Sequence, residues 1–217
     1  MNRKRFGMVS VASLLLVVII VLIWSFTPTA AATIDDIKLD RDAIDIRMKE
    51  KIIEGNAVKL DDIVLELAKE QMILHLIKGT AQDITREEYE TMRKSAQESY
   101  DKNAEENDAF AKKYNMSKEE LIEWDLSFKF RVQARGRCLV LIYDELLSEY
   151  EQQYGTDQAV DPEKMVQVFD RRMEQMVSDL PTITYNSSEM DKLTASFEEW
   201  TQSLDDSVPL PDIQLSY

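Results

Sequence analysis

The sequence has very few of the residues that interrupt helices. The 217 residues include only five glycines and five prolines, and no proline lies between Pro28 and Pro162. A sheet-rich domain of that length needs many tight turns, which glycine and proline usually supply. Their scarcity argues against a sheet-rich fold and favours helices. An apolar content of 44% beside 31% charged residues indicates a globular chain with a core.

Cysteine and histidine are rarer still, since Cys138 and His75 are the only examples. One cysteine cannot form an internal disulfide, and Cys138 lies in an apolar helical run where a buried, unreactive thiol is typical. His75 has no second histidine and no cysteine pair with which to bind a metal. The common sequence motifs of hydrolases, nucleotide-binding proteins and metalloproteases are missing. We therefore expect no enzyme activity and no cofactor.

Positive charge is also scarce, with 26 Lys and Arg residues against 41 Asp and Glu residues and a net charge of −15. Such a surface repels phosphate backbones, so nucleic acid is excluded as a partner. Many of the carboxylates stand where helices are expected to begin. Capping and the helix dipole explain them there without catalysis.

Residues 1–32 form a separate unit. Three cations at positions 3 to 5 precede Met8 to Phe26, a run of 19 uncharged and almost wholly apolar residues. A helix of that length spans the hydrocarbon core of a bilayer. The basic start predicts a single-pass anchor with its N-terminus in the cytoplasm and the main domain outside. The length of the run favours a retained anchor; cleavage after Ala32, giving a secreted or periplasmic protein, stays open.

Beyond residue 32 the apolar spacing predicts a mainly α-helical domain. The expected helices cover residues 40–54, 60–78, 85–101, 108–114, 117–153, 162–180 and 188–204. For the first of these, a short strand around Ile44 to Met48 is an alternative. The long helix over 117–153 is expected to be central to the domain.

Two helix starts carry a capping-box pattern, Thr85 with Glu88 and Ser117 with Glu120. Little strand is expected beyond one short strand pair, with a short strand over residues 182–186. Residues 33–39 are expected to be a polar leader and residues 205–217 a loose tail. The domains are then an anchor over 1–32, a helical domain over 33–187 and a helix with its tail over 188–217. Whether this last part packs on the domain stays open.

Three segments occur in a distinctive order: ELAKEQMILHLIKG, DITREEYETM and AFAKKYNMSKEELIEWDLSFKFRVQ. This order resembles the chaperone domain of SurA-type and PrsA-type extracytoplasmic foldases, over roughly residues 42–186. In that family a short helix leads through a G-hydrophobic-S/T-x-E-E-L corner into a long helix. Here Asn115 to Leu121 holds that corner, with Asn in place of Gly. No segment resembles a parvulin domain and the PrsA-type lipobox is missing, so the resemblance implies a chaperone without prolyl isomerase activity.

The resemblance implies a membrane-anchored holdase that buries apolar segments of unfolded exported proteins, with the bilayer contacted by its N-terminal helix. Methionine-rich surfaces adapt to varied partners. The candidate client-binding residues are Met165, Phe169, Met173, Met176, Trp124 and Phe128. For each of them, ordinary core packing is the alternative. The alternative function is an envelope scaffold or adaptor for one specific partner, with Phe197, Trp200 and Leu204 in a docking helix. The oligomeric state stays open.

Overall fold

The structure, a computed structural model, describes residues 30–34, 36–156, 159–178 and 182–217. It confirms a mainly α-helical fold. The expected anchor, Met8 to Phe26, lies outside the described residues, as do Leu180 and Pro181 at the expected end of a helix. Within the described ranges, no helix combines the length and the apolar character needed to cross a membrane.

The described residues form eight helices and five short strands. The helices are α1 Arg41–Ile53, α2 Leu60–Ile77, α3 Arg86–Lys102, α4 Ala104–Lys113, α5 Lys118–Leu141, α6 Tyr143–Tyr154, α7 Pro162–Ser178 and α8 Ser187–Gln202. The strands are β1 Ala32–Ile34, β2 Ile37–Leu39, β3 Val58–Lys59, β4 Thr184–Tyr185 and β5 Ile213–Gln214. An antiparallel sheet has the order β2-β1-β4, and β3 pairs in parallel with β5.

The helix starts follow the expected capping chemistry. Both capping boxes are confirmed. The Thr85 hydroxyl accepts a hydrogen bond from the Glu88 N–H, and the Glu88 carboxylate accepts one from the Thr85 N–H. Ser117 and Glu120 form the same two hydrogen bonds. Asn115 forms the corner before α5 with a φ of 45°. That is the left-handed region, which Asn tolerates better than most residues and in which Gly is usual.

The first helix is also confirmed, since α1 begins after Asp40, whose carboxylate accepts a hydrogen bond from the Ala43 N–H at 2.7 Å. The alternative of a strand around Ile44 is therefore wrong. The expected polar leader over 33–39 is wrong as well, because β1 and β2 form a hairpin there. Ile34 and Leu39 are buried in it, and the strands are too short for their alternation to stand out in the sequence.

The long helix does not run to residue 153. It ends at Leu141, and Ile142 adopts a non-helical backbone (φ −104°, ψ 18°) before α6 begins. The Ile142 N–H still bonds to the Cys138 carbonyl, so the two helices follow without a loop. Beyond this bend, Leu146 and Tyr150 of α6 pack against α7.

The C-terminal segment is not a loose tail. Helix α8 packs on α1 and buries Leu193, Phe197 and Trp200. Beyond it, Val208 is buried in the same core and Ile213 pairs with Val58. Pro209, Pro211 and the shortness of the strand hide this packing in the sequence, because one buried side chain and a two-residue strand are enough to hold the segment.

Three apolar clusters make up the core. The first joins the strands, α1, the first half of α2 and α8; the second joins the end of α2, the end of α5, α6 and α7; the third joins α3, α4 and the start of α5. Helix α5 belongs to the second and third clusters and packs on both α2 and α3. It is therefore the element that connects the parts of the molecule.

Val208→Ala tests the packing of the C-terminal segment. Removing two buried carbons should lower the free energy of unfolding by about 2 kcal/mol, from lost apolar burial and the cavity left behind. Leu210→Ala, two residues on at a side chain that is 52% exposed, should change it by less than about 0.5 kcal/mol. Urea unfolding followed by circular dichroism measures both; equal effects would show that the segment is not packed.

Because of the Glu88 carboxylate, we expect the folded protein to lose stability in acid. Hydrogen bonds from Arg137 and from Thr85 lower the pKa of the Glu88 carboxyl to about 2, from an ordinary value of 4.5. A carboxylate more acidic in the folded state stabilises it fully above about pH 4.5 and ceases to do so as the pH falls towards 2. Glu88→Gln should flatten the pH dependence of the unfolding midpoint across this window. Glu87→Gln, at the exposed neighbouring position, should leave the dependence unchanged.

Candidate functional site

A cleft of about 610 Å³ opens between α1 and the first half of α5. Helix α3 contributes Tyr89 to its wall, the corner contributes Met116 and α8 contributes Trp200. From α1 come Ile46 and Ile53. The apolar side chains of four separate segments therefore meet around one open space.

Neighbouring side chains hold the aromatic walls of the cleft in place. Trp124 stacks on Phe110 with ring centroids 5.9 Å apart, and Phe130 meets Tyr89 edge to face at 5.8 Å. Trp200 donates a hydrogen bond from its indole N–H to the Tyr114 carbonyl at 3.1 Å. Because neighbouring residues of the protein fix these rings, the apolar surface exists before any ligand binds.

The cleft continues along α1 and α5. A second cavity of about 230 Å³ shares Ile46, Ser127 and Phe130 with it and reaches Leu74 of α2. Ile46 lies at the junction and keeps 47% of its surface exposed. The two cavities form an elongated groove with Ile46 near its middle.

Charged side chains connect the two walls beside this junction. Glu50 of α1 is only 2% exposed, and its carboxylate meets Arg131 of α5 at 3.1 Å and Arg47 at 2.9 Å. Glu70 of α2 lies 2.6 Å from Arg47 and 3.6 Å from Arg131. Glu66 pairs with Lys51 at 2.7 Å and completes a network of three acids and three cations across α1, α2 and α5.

Burial and charge pairing shift the pKa values of this network in opposite directions. Burial acts to lower the pKa of the Arg47 guanidinium, but the charges of Glu70 and Glu50 outweigh it and raise that pKa. Burial raises the pKa of the Glu70 carboxyl by more than Arg47 and Arg131 lower it. The cations stay charged under all ordinary conditions, so the carboxylates must remain in place to balance them.

Acidic groups line the end of the cleft nearest the start of α5. Glu119, Glu120 and Glu123 lie there on α5, and Asp45 lines the same cleft from α1. The one cation in the lining of this cavity, Lys49, pairs with Asp45 at 2.7 Å. The cleft is thus apolar along its length and negative at one end.

The structure brings three of the six candidate residues from the sequence together, since Phe128, Phe169 and Met173 line one cavity of about 480 Å³. Met165, Phe169 and Met173 are 1% to 3% exposed in the core beneath α7, and Met176 is half-buried beside them. Trp124 lines the cleft. Phe128 is 54% exposed and lies outside the cleft lining. Only Trp124 of the six therefore belongs to the candidate site, and three of the six pack as core.

Ile46 and Glu50 are the residues that sequence analysis missed. A helix places Ile46 roughly 200° from Ile44, away from the buried stripe that continues through Met48. An apolar residue on the polar face of α1 was the available sign of a site. Glu50 gave no sign, because its partner Arg131 is 81 positions away along the chain.

The two rare residues lie away from the cleft. Cys138 is fully buried and burial raises the pKa of its thiol, which makes it a poor nucleophile. His75 is exposed on α2. Among the described residues, no group of three His, Cys, Asp or Glu side chains could hold a metal ion.

The chain has no significant match among protein-family models, curated proteins or solved structures. The resemblance to the SurA and PrsA chaperone domains therefore remains an expectation based on sequence segments. The cleft, its fixed aromatic walls and its charges are the features that bear on function.

Glu50→Gln tests the network beside the cleft. It leaves two buried arginines short of a carboxylate, so we expect the free energy of unfolding to fall by about 3 kcal/mol. Glu123→Gln also removes a carboxylate paired with an arginine of another helix, Arg93, but that pair is about half exposed. Its loss should cost less than about 1 kcal/mol. Denaturant unfolding of both variants measures the contrast, and similar losses would contradict the structural role of Glu50.

Proposed function

We propose that this protein is a membrane-tethered extracytoplasmic holdase, which binds apolar segments of unfolded exported proteins in the cleft between α1 and α5. The observation that carries the proposal is an open cleft of about 610 Å³ whose apolar walls are held by Trp124, Phe130 and Trp200. Cavities of this size are typical of ligand sites, and a preformed apolar groove suits short apolar segments.

The size of the cleft implies weak and reversible binding. Burying one Leu or Phe side chain contributes about 1.5–3 kcal/mol. Two or three such side chains must also offset the cost of ordering the segment and losing its free motion. The net affinity expected is in the micromolar range, where a client is released without nucleotide hydrolysis.

The sequence supports the cellular setting of the proposal. The cations at positions 3 to 5 and the apolar run from Met8 to Phe26 would hold the domain at the outer face of a membrane. The corner at Asn115 and the two capping boxes match the segment order of the SurA and PrsA chaperone domains. A holdase at that place would meet exported chains as they emerge unfolded.

One observation favours the alternative, an adaptor for a single envelope partner. Phe128, Val132 and Val140 follow one another along α5 at multiples of four residues and are 54%, 56% and 58% exposed. Residues four apart lie on one face of a helix, so Phe128 and Val132 form an exposed apolar stripe on α5, while Val140 is turned about 120° from Phe128. Phe197 is buried and cannot dock a partner while α8 is folded, whereas Trp200 is accessible only as part of the cleft wall.

Ile46→Gln and Phe128→Gln distinguish the two surfaces. Both residues are about half exposed, so each change should leave the fold intact. Two unrelated chemically unfolded proteins are diluted into buffer with the full chain in lipid nanodiscs, and light scattering follows their aggregation. We expect the unchanged chain to suppress both near equimolar ratio and Ile46→Gln to raise the required ratio about threefold or more, since it puts a polar group in the groove.

Phe128→Gln should protect as well as the unchanged chain. If it loses protection while Ile46→Gln does not, client binding belongs to the α5 stripe and the cleft assignment is wrong. If the unchanged chain protects neither protein, the holdase proposal fails in favour of the adaptor.

A further inference from the structure

We infer that the cleft selects apolar segments that carry Lys or Arg close to their apolar side chains; this inference rests on the proposed function and names its substrate class. The observation behind it is the separation of charge and apolar surface along one groove. Glu119, Glu120 and Glu123 line the end near the start of α5, whereas Trp124 and Phe130 continue into the apolar part.

The acids at this end are not fully compensated by the protein. Glu119 has no ion-pair partner among the described residues, and Glu120 accepts only the Ser117 N–H of its capping box at 2.7 Å. Glu123 pairs with Arg93 at the surface, and Asp45 pairs with Lys49. A cation bound at the start of α5 would therefore meet two carboxylates that have no cationic partner among the described residues and one, Glu123, that is already paired.

The helix dipole explains part of this arrangement but not all of it. Glu119 and Glu120 stand in the first turn of α5, where carboxylates are favourable without any ligand. Glu123 lies beyond the first turn, and Asp45 belongs to the facing helix. Negative charge on both walls of an apolar cleft disfavours an anionic segment and favours a cationic one.

The geometry also sets the distance between the cation and the apolar side chains of the client. Glu119 and Phe130 are separated by eleven residues of one continuous helix, which is about 16 Å at 1.5 Å per residue. An extended segment covers that distance in about five residues. The preferred client therefore carries its Lys or Arg within about five residues of the side chains that enter the apolar part.

Peptide binding to the full chain in nanodiscs of zwitterionic lipid tests this inference. Three ten-residue peptides share the same four apolar side chains and end in two Lys, two Gln or two Glu residues. Trp24→Phe removes the tryptophan of the N-terminal segment, so that fluorescence reports Trp124 and Trp200 at the cleft. We expect the Lys peptide to bind about fivefold more tightly than the Gln peptide and the Glu peptide more weakly still, with the differences shrinking in high salt.

The double variant Glu119→Gln with Glu123→Gln should reduce the preference for the Lys peptide over the Gln peptide to about twofold or less. The matched control is Glu145→Gln with Glu151→Gln, two exposed acids of α6, a helix outside the cleft lining. It removes the same charge and should keep the full preference.

Different outcomes of this experiment would overturn the charge selectivity and the holdase proposal. If all three peptides bind equally, or if both double variants reduce the preference alike, the charge selectivity of the cleft is overturned while the holdase proposal stands. If none of the peptides binds, the holdase proposal itself fails. A fluorescence change on concentrating the protein without peptide, competing with peptide binding, would assign the cleft to a second copy of the chain and overturn the inference.

Discussion

The buried ion pair between Glu50 of α1 and Arg131 of α5 determines the architecture around the cleft. Both helices pack on α2, but no extensive apolar contact joins them directly. The carboxylate of Glu50 holds Arg131 and Arg47 at about 3 Å, and Glu70 continues the network to α2. Because long charged side chains occupy the space between the helices, α1 and α5 stand apart and the groove beside them stays open.

An apolar contact in that place would have a different effect. Well-packed apolar side chains of similar volume often stabilise a fold as much as a buried ion pair or more. They would also draw α1 and α5 together through close packing and fill the groove. The ionic network fixes the orientation and separation of the two walls, and the apolar surface beside it remains unburied. The arrangement therefore favours an open site over maximal burial.

The sequence shows local features of this structure and hides those that depend on distant partners. Thr85 with Glu88, and Asn115 before Ser117, could be recognised because capping and left-handed corners involve residues within a few positions. The bend at Ile142, the burial of Val208 and the pairing of Glu50 with Arg131 depend on packing between remote segments. The methionines of α7 show the same limit, since a stripe of period 3.6 looks alike whether a helix packs on it or a client does.

The acidic end of the cleft also affects contacts between copies of the protein. An open apolar groove is a risk for self-association, because two such surfaces can bury one another. Two copies meeting at this groove would bring Glu119 and Glu123 of one near acids of the other, in a chain whose net charge is −15. Like charges brought together in a partly desolvated contact cost free energy. A cationic segment meets no such barrier, so the same carboxylates that discourage self-association favour the class of client proposed for the cleft.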